Sequence, residues 1–224
     1  TNKKEIFGII TTQDIQNSEI ISKVPDINDL YIDCGLTKEE VENAGIRIGD
    51  YIYLVKHFTH LGGNLFSGKA LDDRIGCYAL LEAAKKLRKA KAEIYYVFTV
   101  QEEIGLYGAK TSIYSIDPDY AVIVDVTNAD DAKIEKPLKK IGYGPCLLIK
   151  DAEMIANKCI NDLLFATAQK IKIKLQPDIS DYGTTDALTI SVSKGGVPCT
   201  VIGVAVRNLH TTTSIASFND VDDL

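Results

Sequence analysis

VFTVQEEIGLYGAK, residues 97–110, runs from apolar β-formers into two adjacent carboxylates, Glu102 and Glu103, and then into a glycine. It closes a longer apolar segment, AEIYYVFTV (92–100), which reads as a strand covered on both faces. YAVIVDV (120–126) and PCTVIGVAV (198–206) read the same way. Helical stripes lie between these segments. DDRIGCYALLEAAKKLRKA places Ile75, Tyr78, Ala79, Leu81, Ala84 and Leu87 at helical spacing, with Asp72 and Asp73 at the N-terminal end. DAEMIANKCINDLLFATAQKI reads as a second amphipathic helix, and TTDALTISVSKGG as a third that stops at Gly195 and Gly196. Strands alternating with helices predict an α/β domain, a mixed sheet flanked by helices.

The rhythm upstream is different. From Thr1 to Phe66, short apolar segments (EIFGII, DLYIDCG, DYIYLVKHFTH) are separated by polar turns, with one helical patch, TKEEVENAG, that Thr37 can cap. The expected organisation is a small β-rich module over 1–66 and an α/β domain over 67–224. The chain has 224 residues, 46% hydrophobic and 25% charged, enough to bury a full core. A net charge of −6, with no basic run longer than KKLRKAK, argues against a nucleic-acid partner. No apolar run approaches the roughly 18 residues of a membrane span, so no membrane partner is expected. Cys34, Cys77, Cys146, Cys159 and Cys199 are scattered without CxxC spacing, which suggests neither a disulfide framework nor a zinc knuckle and points to a reducing, cytoplasmic setting.

The polar residues fall at one end of the strands. Glu102 and Glu103 follow segment 92–100, Asp125 ends 120–126, and Arg207 and His210 follow 198–206. Ligands of open α/β sheets bind at the carboxyl ends of the strands, so these groups and Asp72 are expected to converge. Four carboxylates brought together uncompensated repel one another and raise their pKa values. One or two divalent cations are the economical remedy, with a histidine as nitrogen donor. In the loop past a strand, Glu103 can then serve as a ligand while Glu102 stays free as general base.

SGKALDDRIGC, VFTVQEEIGLYGAK, AVIVDVTNADD, SDYGTTDA and GVPCTVIGVAVRNLHT, in that order and spacing, resemble the motifs of the M42 family of metallo-aminopeptidases, the glutamyl and tetrahedral type that is often labelled endoglucanase. The resemblance runs from about residue 30 to the end. It implies a zinc-peptidase-like catalytic domain, peptide substrates, and two divalent ions per complete subunit, zinc or cobalt or else manganese. Asp72 would bridge the ions, Glu103 and His210 would complete the first, Asp125 would serve the second, and Glu102 would be the general base. The resemblance also implies a cis peptide between Asp72 and Asp73, and it sets Asp73, Thr185, Asp186 and Arg207 around the site. Residues 1–66 correspond to part of a β-rich domain through which such enzymes dimerise and build dodecamers.

The chain departs from the family pattern in lacking the earlier His-x-Asp motif that supplies the second ion's histidine. His57 and His60 match no family ligand and read as ordinary structural histidines. This pattern leads to the expectation of an internal portion of such an enzyme, with one tightly bound ion and negligible activity by itself. A non-catalytic assembly paralogue of the same fold is the alternative. Taken singly, each residue has a plain reading too: paired glutamates as a solvated loop, Asp72-Asp73 as a helix cap, Arg207 as an anchor for the His210 loop, and Gly62-Gly63 as a turn.

Overall fold

The computed structural model describes residues 5–16, 24–55, 57–132 and 135–224. The first four residues of the opening stretch TNKKEIFGII lie outside them. The chain divides into two compact units, Thr1–Leu54 and Val55–Leu224.

In the first unit, β1 (Ile9–Thr12) is followed by a single helical turn, α1 (Gln13–Gln16), and pairs antiparallel with β2 (Leu30–Asp33), Ile9 opposite Asp33. Helix α2 (Lys38–Asn43) starts where the sequence places it. The Thr37 hydroxyl accepts from the Glu40 amide, and the Glu40 carboxylate accepts from the Thr37 amide at 2.8 Å, a reciprocal capping box. Two strands cannot enclose a core, and every residue of β2 is exposed.

The second unit opens with the hairpin β3 (Phe58–Leu61) and β4 (Leu65–Gly68), turned at Gly62-Gly63. Helix α3 (Leu71–Lys86) and helix α4 (Tyr107–Ile116) precede β5 (Ala121–Asn128). Then come β6 (Cys146–Lys150), α5 (Lys158–Ile171), β7 (Gln176–Ile179), α6 (Asp186–Ser191), β8 (Cys199–Val206), β9 (Ser214–Ser217) and α7 (Phe218–Asp223). The main sheet has the order β5-β8-β6-β7. β5 and β8 run parallel, as do β6 and β7, and β6 opposes β8, so the sheet is mixed. Helix α3 packs on β5, α5 on β8, and α6 on both.

The central strand, β8, is buried almost throughout, as its unbroken apolar run predicts. Val204 and Val206 join Phe66, Leu71, Ile75, Val126 and Ala216 in one core cluster, and Val201 joins Ile123, Leu148 and Ala187 in another. Asp125 faces Gly203 across the parallel ladder. A Cβ at Gly203 would come within 1.6 Å of the Asp125 carbonyl oxygen, so the strands approach as closely as they do only because a glycine sits there.

Four expectations change, the simplest being that the third helix stops at Ser191 and not at Gly195 and Gly196. The unit boundary falls after Leu54 and not after Phe66, because β4 pairs on one side with β3 and on the other with β9, far along the chain. The second helix begins at Lys158: Asp151 accepts the amides of Glu153 and Met154 in a local turn, and Asn157 caps the helix start. Segment 92–100 forms no strand and pairs with none among the described residues, and Ile94, Phe98 and Val100 are exposed. An apolar run signals burial, whereas a strand also needs a neighbour to complete its ladder.

Candidate metal centre

Three loops at the carboxyl end of the sheet supply the site. The first leads into α3. Backbone angles at Asp72 and Asp73 are non-helical, their shared peptide bond is cis, and the regular helix starts beyond them. Asp73 turns inward and caps it, its Oδ1 accepting from the Gly76 amide at 2.8 Å. A Cβ at Gly76 would lie 2.1 Å from the Asp73 carboxylate, so the glycine is what admits the cap. Asp72 is thereby released toward the cleft.

The second loop is the glutamate turn. The Val100 carbonyl accepts from Gly108, and the Glu102 carbonyl accepts from Gly105 and Leu106, which folds residues 101–106 onto the start of α4. The third loop follows β8. Arg207 exchanges two backbone hydrogen bonds with Ile215, and its guanidinium donates two more to Asp131, Nε to Oδ1 and Nη2 to Oδ2, each at 2.8 Å. The Asn208 carbonyl accepts from the hydroxyls of Thr211 and Ser214. Left-handed conformations at Asn208 and His210 tighten the turn that carries the imidazole.

The ends of these loops meet. One carboxylate oxygen each of Asp72 and Glu103 and one ring nitrogen of His210 lie within 4.8 Å of one another. His210 Nε2 is 3.4 Å from Asp72 Oδ2 and 3.8 Å from Glu103 Oε2. They line a cleft of about 370 Å³ with Lys69, Thr211, Thr212 and Ser214. Asp125 stands outside that trio, half-buried in β5, with Oδ1 accepting the Val126 amide at 2.7 Å.

Electrostatics links the rest. Burial first, then Glu103, pushes Asp72 up to about 6, against a lowering by His210. Burial drives Asp73 to about 7 with Asp72 and Asp186 adding to the rise, while the Gly76 amide opposes it. Glu102 also reaches about 7, through burial and then the charges of Asp186, Glu103, Asp72 and Asp73. Asp125 is raised well above the usual carboxylate range by burial and by Asp73. Acids this close, with no lysine or arginine paired to them among the described residues, form a donor set suited to a divalent ion.

A family profile described as M42 glutamyl aminopeptidase matches residues 1–224. The chain belongs to the M42 peptidase family. This M42 chain is 38% identical over 198 residues to a putative aminopeptidase of Acetivibrio thermocellus, across 88% of this chain and 60% of that protein. It superposes on aminopeptidase APDkam598 from the archaeon Desulfurococcus kamchatkensis with a TM-score of 0.90 at 38% identity, covering 96% of this chain and 61% of the other. On the Pyrococcus horikoshii TET1 peptidase, which can assemble into a tetrahedron or a large octahedral shell, the TM-score is 0.80 at 30% identity, covering 91% of this chain and 61% of the other. The M42 chain thus spans about three-fifths of the length of these relatives.

Of the remaining residues singled out by sequence, Thr185 caps α6, its hydroxyl accepting from the Ala187 amide at 3.2 Å. Asp186, the first residue of α6, is buried and raised by that burial. His57 lies 3.4 Å from the Ser67 hydroxyl, and His60 stacks on Phe218, both in the plain structural roles expected of them. Sequence reading did not single out Asp131, although it sits in the quoted AVIVDVTNADD motif and holds Arg207. It also missed Thr99, whose hydroxyl donates to Asp186 at 2.7 Å; a threonine inside an apolar run gives no signal of its own.

Proposed function

We propose that the protein is a co-catalytic metallo-aminopeptidase that removes N-terminal residues from peptides. The observation that carries this reading is the convergence of Asp72, Glu103 and His210 on one cleft, with Glu102 beside them and a raised carboxyl. Asp72, Glu103 and His210 would hold one divalent ion, and Asp72 with Asp125 a second; a mixed carboxylate and imidazole set suits zinc, cobalt or manganese. Such ions, when bound, polarise the scissile carbonyl and make water a better nucleophile at neutral pH.

The protein's own contribution is positioning and proton transfer. Glu102, poised near neutrality, accepts a proton from the attacking water as the new C–O bond forms. It then delivers that proton to the departing amine as the C–N bond breaks. Asp73 keeps the loop into α3 in place, and the Arg207–Asp131 pair fixes the base of the turn that presents His210.

Unit Thr1–Leu54 fits part of an assembly module. Phe7, Ile9, Ile48 and Tyr51 are largely exposed on it, an apolar surface that suits burial against other copies. With the TET1 relative as a guide, we expect a homo-oligomer, from dimer to dodecamer, with peptide substrates. Five free cysteines fit a reducing cytoplasmic setting, and no helix of the described residues is long and apolar enough to cross a membrane.

One observation favours a second reading. Among the described residues the second ion finds only Asp72 and Asp125, since His57 and His60 serve elsewhere. A non-catalytic, metal-deficient assembly paralogue would share that feature. Assay of the intact gene product on matched substrates separates the two. The enzyme reading expects zinc- or cobalt-dependent release of anilide from free aminoacyl-anilides and none from their N-acetylated forms. Inactivity in the metal-loaded intact protein, or equal cleavage of the acetylated substrate, would overturn it.

A further inference from the structure

The glutamate turn is held from one side by backbone hydrogen bonds to α4. On its other side runs segment 92–100, which has no ladder partner among the described residues. Its last residue, Val100, is tied to α4 through the Gly108 amide, and upstream of that bond no ladder holds it among the described residues. Its side chains alternate near the turn: Val97 and Thr99 are half-buried, whereas Phe98 and Val100 are exposed. Thr99 thus faces inward, and its hydroxyl donates to Asp186 Oδ2 at 2.7 Å.

Asp186 is a rigid anchor. It is 7% exposed and opens α6, whose next residue, Ala187, is fully buried in the core under β8. Its second oxygen, Oδ1, is buried and accepts no hydrogen bond. A buried carboxylate with a single donor depends strongly on that donor, because losing it leaves both oxygens unsatisfied.

We propose that Thr99 is a positioning residue of the metal centre, and that its hydroxyl bond to Asp186 ties the glutamate turn to α6 and sets the distance at which Glu103 meets Asp72 and His210. This rests on the metal-centre reading above and deepens it. The partners that orient metal ligands typically matter 10–100-fold to metal affinity when removed. Thr99 acts one step further back, through the chain that carries the ligand, so the effect belongs at the lower end of that range.

The test is calorimetric titration of the metal-free chain with zinc chloride, with thermal unfolding recorded alongside. Thr99→Val keeps the shape and removes the donor; Thr99→Ser keeps the donor. The expected result is zinc affinity about 10-fold weaker in Thr99→Val, restored to within about 3-fold of wild type in Thr99→Ser. Asp186→Asn, which still offers an acceptor to Thr99, should weaken binding less than Thr99→Val does. If wild type binds zinc and Thr99→Val binds it equally well, the positioning role is wrong while the metal centre stands. If Thr99→Ser is as weak as Thr99→Val, packing and not the hydroxyl is responsible, and the proposal fails. A wild type that takes up no zinc overturns the metal-centre reading itself, and this proposal with it.

Discussion

Asp125 and Asp131 lie on one stretch of chain, the first within β5 and the second just past its end, yet their surroundings act on them in opposite ways. The Arg207 guanidinium holds the Asp131 carboxyl below its usual range through two parallel hydrogen bonds. Asp125 has one backbone donor and lies near the acids Asp73, Asp72 and Glu102; burial first, then those charges, drives its carboxyl well above the usual range. The same contrast recurs across the unit. Asp178 on β7 meets Lys139 at 2.6 Å, and Asp220 on α7 accepts the amides of Gly142 and Gly144. Where an acid serves the fold, a cation or a pair of backbone amides meets it; at the carboxyl end of the sheet Asp72, Asp73, Glu102 and Asp125 crowd together with no lysine or arginine paired to them among the described residues.

The largest effect should come from Glu102 and Asp72, which sit in the uncompensated region and to which the proposal gives different tasks, proton transfer and metal binding. If the proposed function holds, Glu102→Gln should retain zinc and lose about 10²–10⁴-fold in turnover. Asp72→Ala should lose both. Equal loss of zinc in the two variants, read by metal analysis after gel filtration, would show that their roles are misassigned.

The next prediction concerns pH. A carboxyl whose folded pKa exceeds its unfolded value of about 4 binds more protons when folded, so its stability contribution is complete below that value and is lost as pH rises through the folded pKa. Asp72 at about 6, with Asp73 and Glu102 at about 7, places that loss between roughly pH 4 and 7. The metal-free protein should therefore melt at a lower temperature at pH 7.5 than at pH 5, and saturating zinc should remove or reverse the difference. A metal-free melting temperature that rises over this interval would contradict the assignment.

A smaller effect is expected where compensation already exists. Arg207→Ala leaves the Asp131 carboxylate without its guanidinium and should cost about 1–3 kcal/mol in denaturant unfolding, with weaker zinc binding because the His210 turn loosens. Arg207→Lys keeps the charge but not the fork, and should fall between. Thr37→Ala, which removes a helix cap in the first unit, should cost about 1 kcal/mol at most and leave zinc affinity unchanged. Any change in zinc binding there would mean that the site depends on more than its own loops.

Much of the site was legible because its chemistry is local. Acids placed just after apolar runs, or just before a helical stripe, are expected at the carboxyl ends of the strands of an α/β sheet, and the parallel pairing of β5 with β8 brings their ends together. β8 was readable too: its unbroken apolar run matches a strand buried almost throughout between β5 and β6. What escaped depended on distant partners. The hairpin β3–β4 looked like part of the N-terminal module because its other neighbour, β9, is near the far end of the chain. Segment 92–100 has a strand's composition without a ladder, and hydrogen-bond partners are not written in hydrophobicity. The division of labour between Asp72 and Asp73 came from the family resemblance alone, since by residue type either could cap a helix; in the structure Gly76 leaves room for the Asp73 carboxylate.

The central claim is that a divalent ion supplies the positive charge that the acids at the carboxyl end of the sheet lack. Calorimetric titration of the metal-free chain with zinc near pH 7, in two buffers of different ionisation enthalpy, reads stoichiometry and proton release together. Carboxyls raised toward neutrality must give up protons as the ion enters. The account predicts one tight zinc per chain, binding accompanied by net proton release, and loss of that tight site in His210→Ala. Zinc binding with no proton release, or tight binding unchanged in His210→Ala, would contradict it.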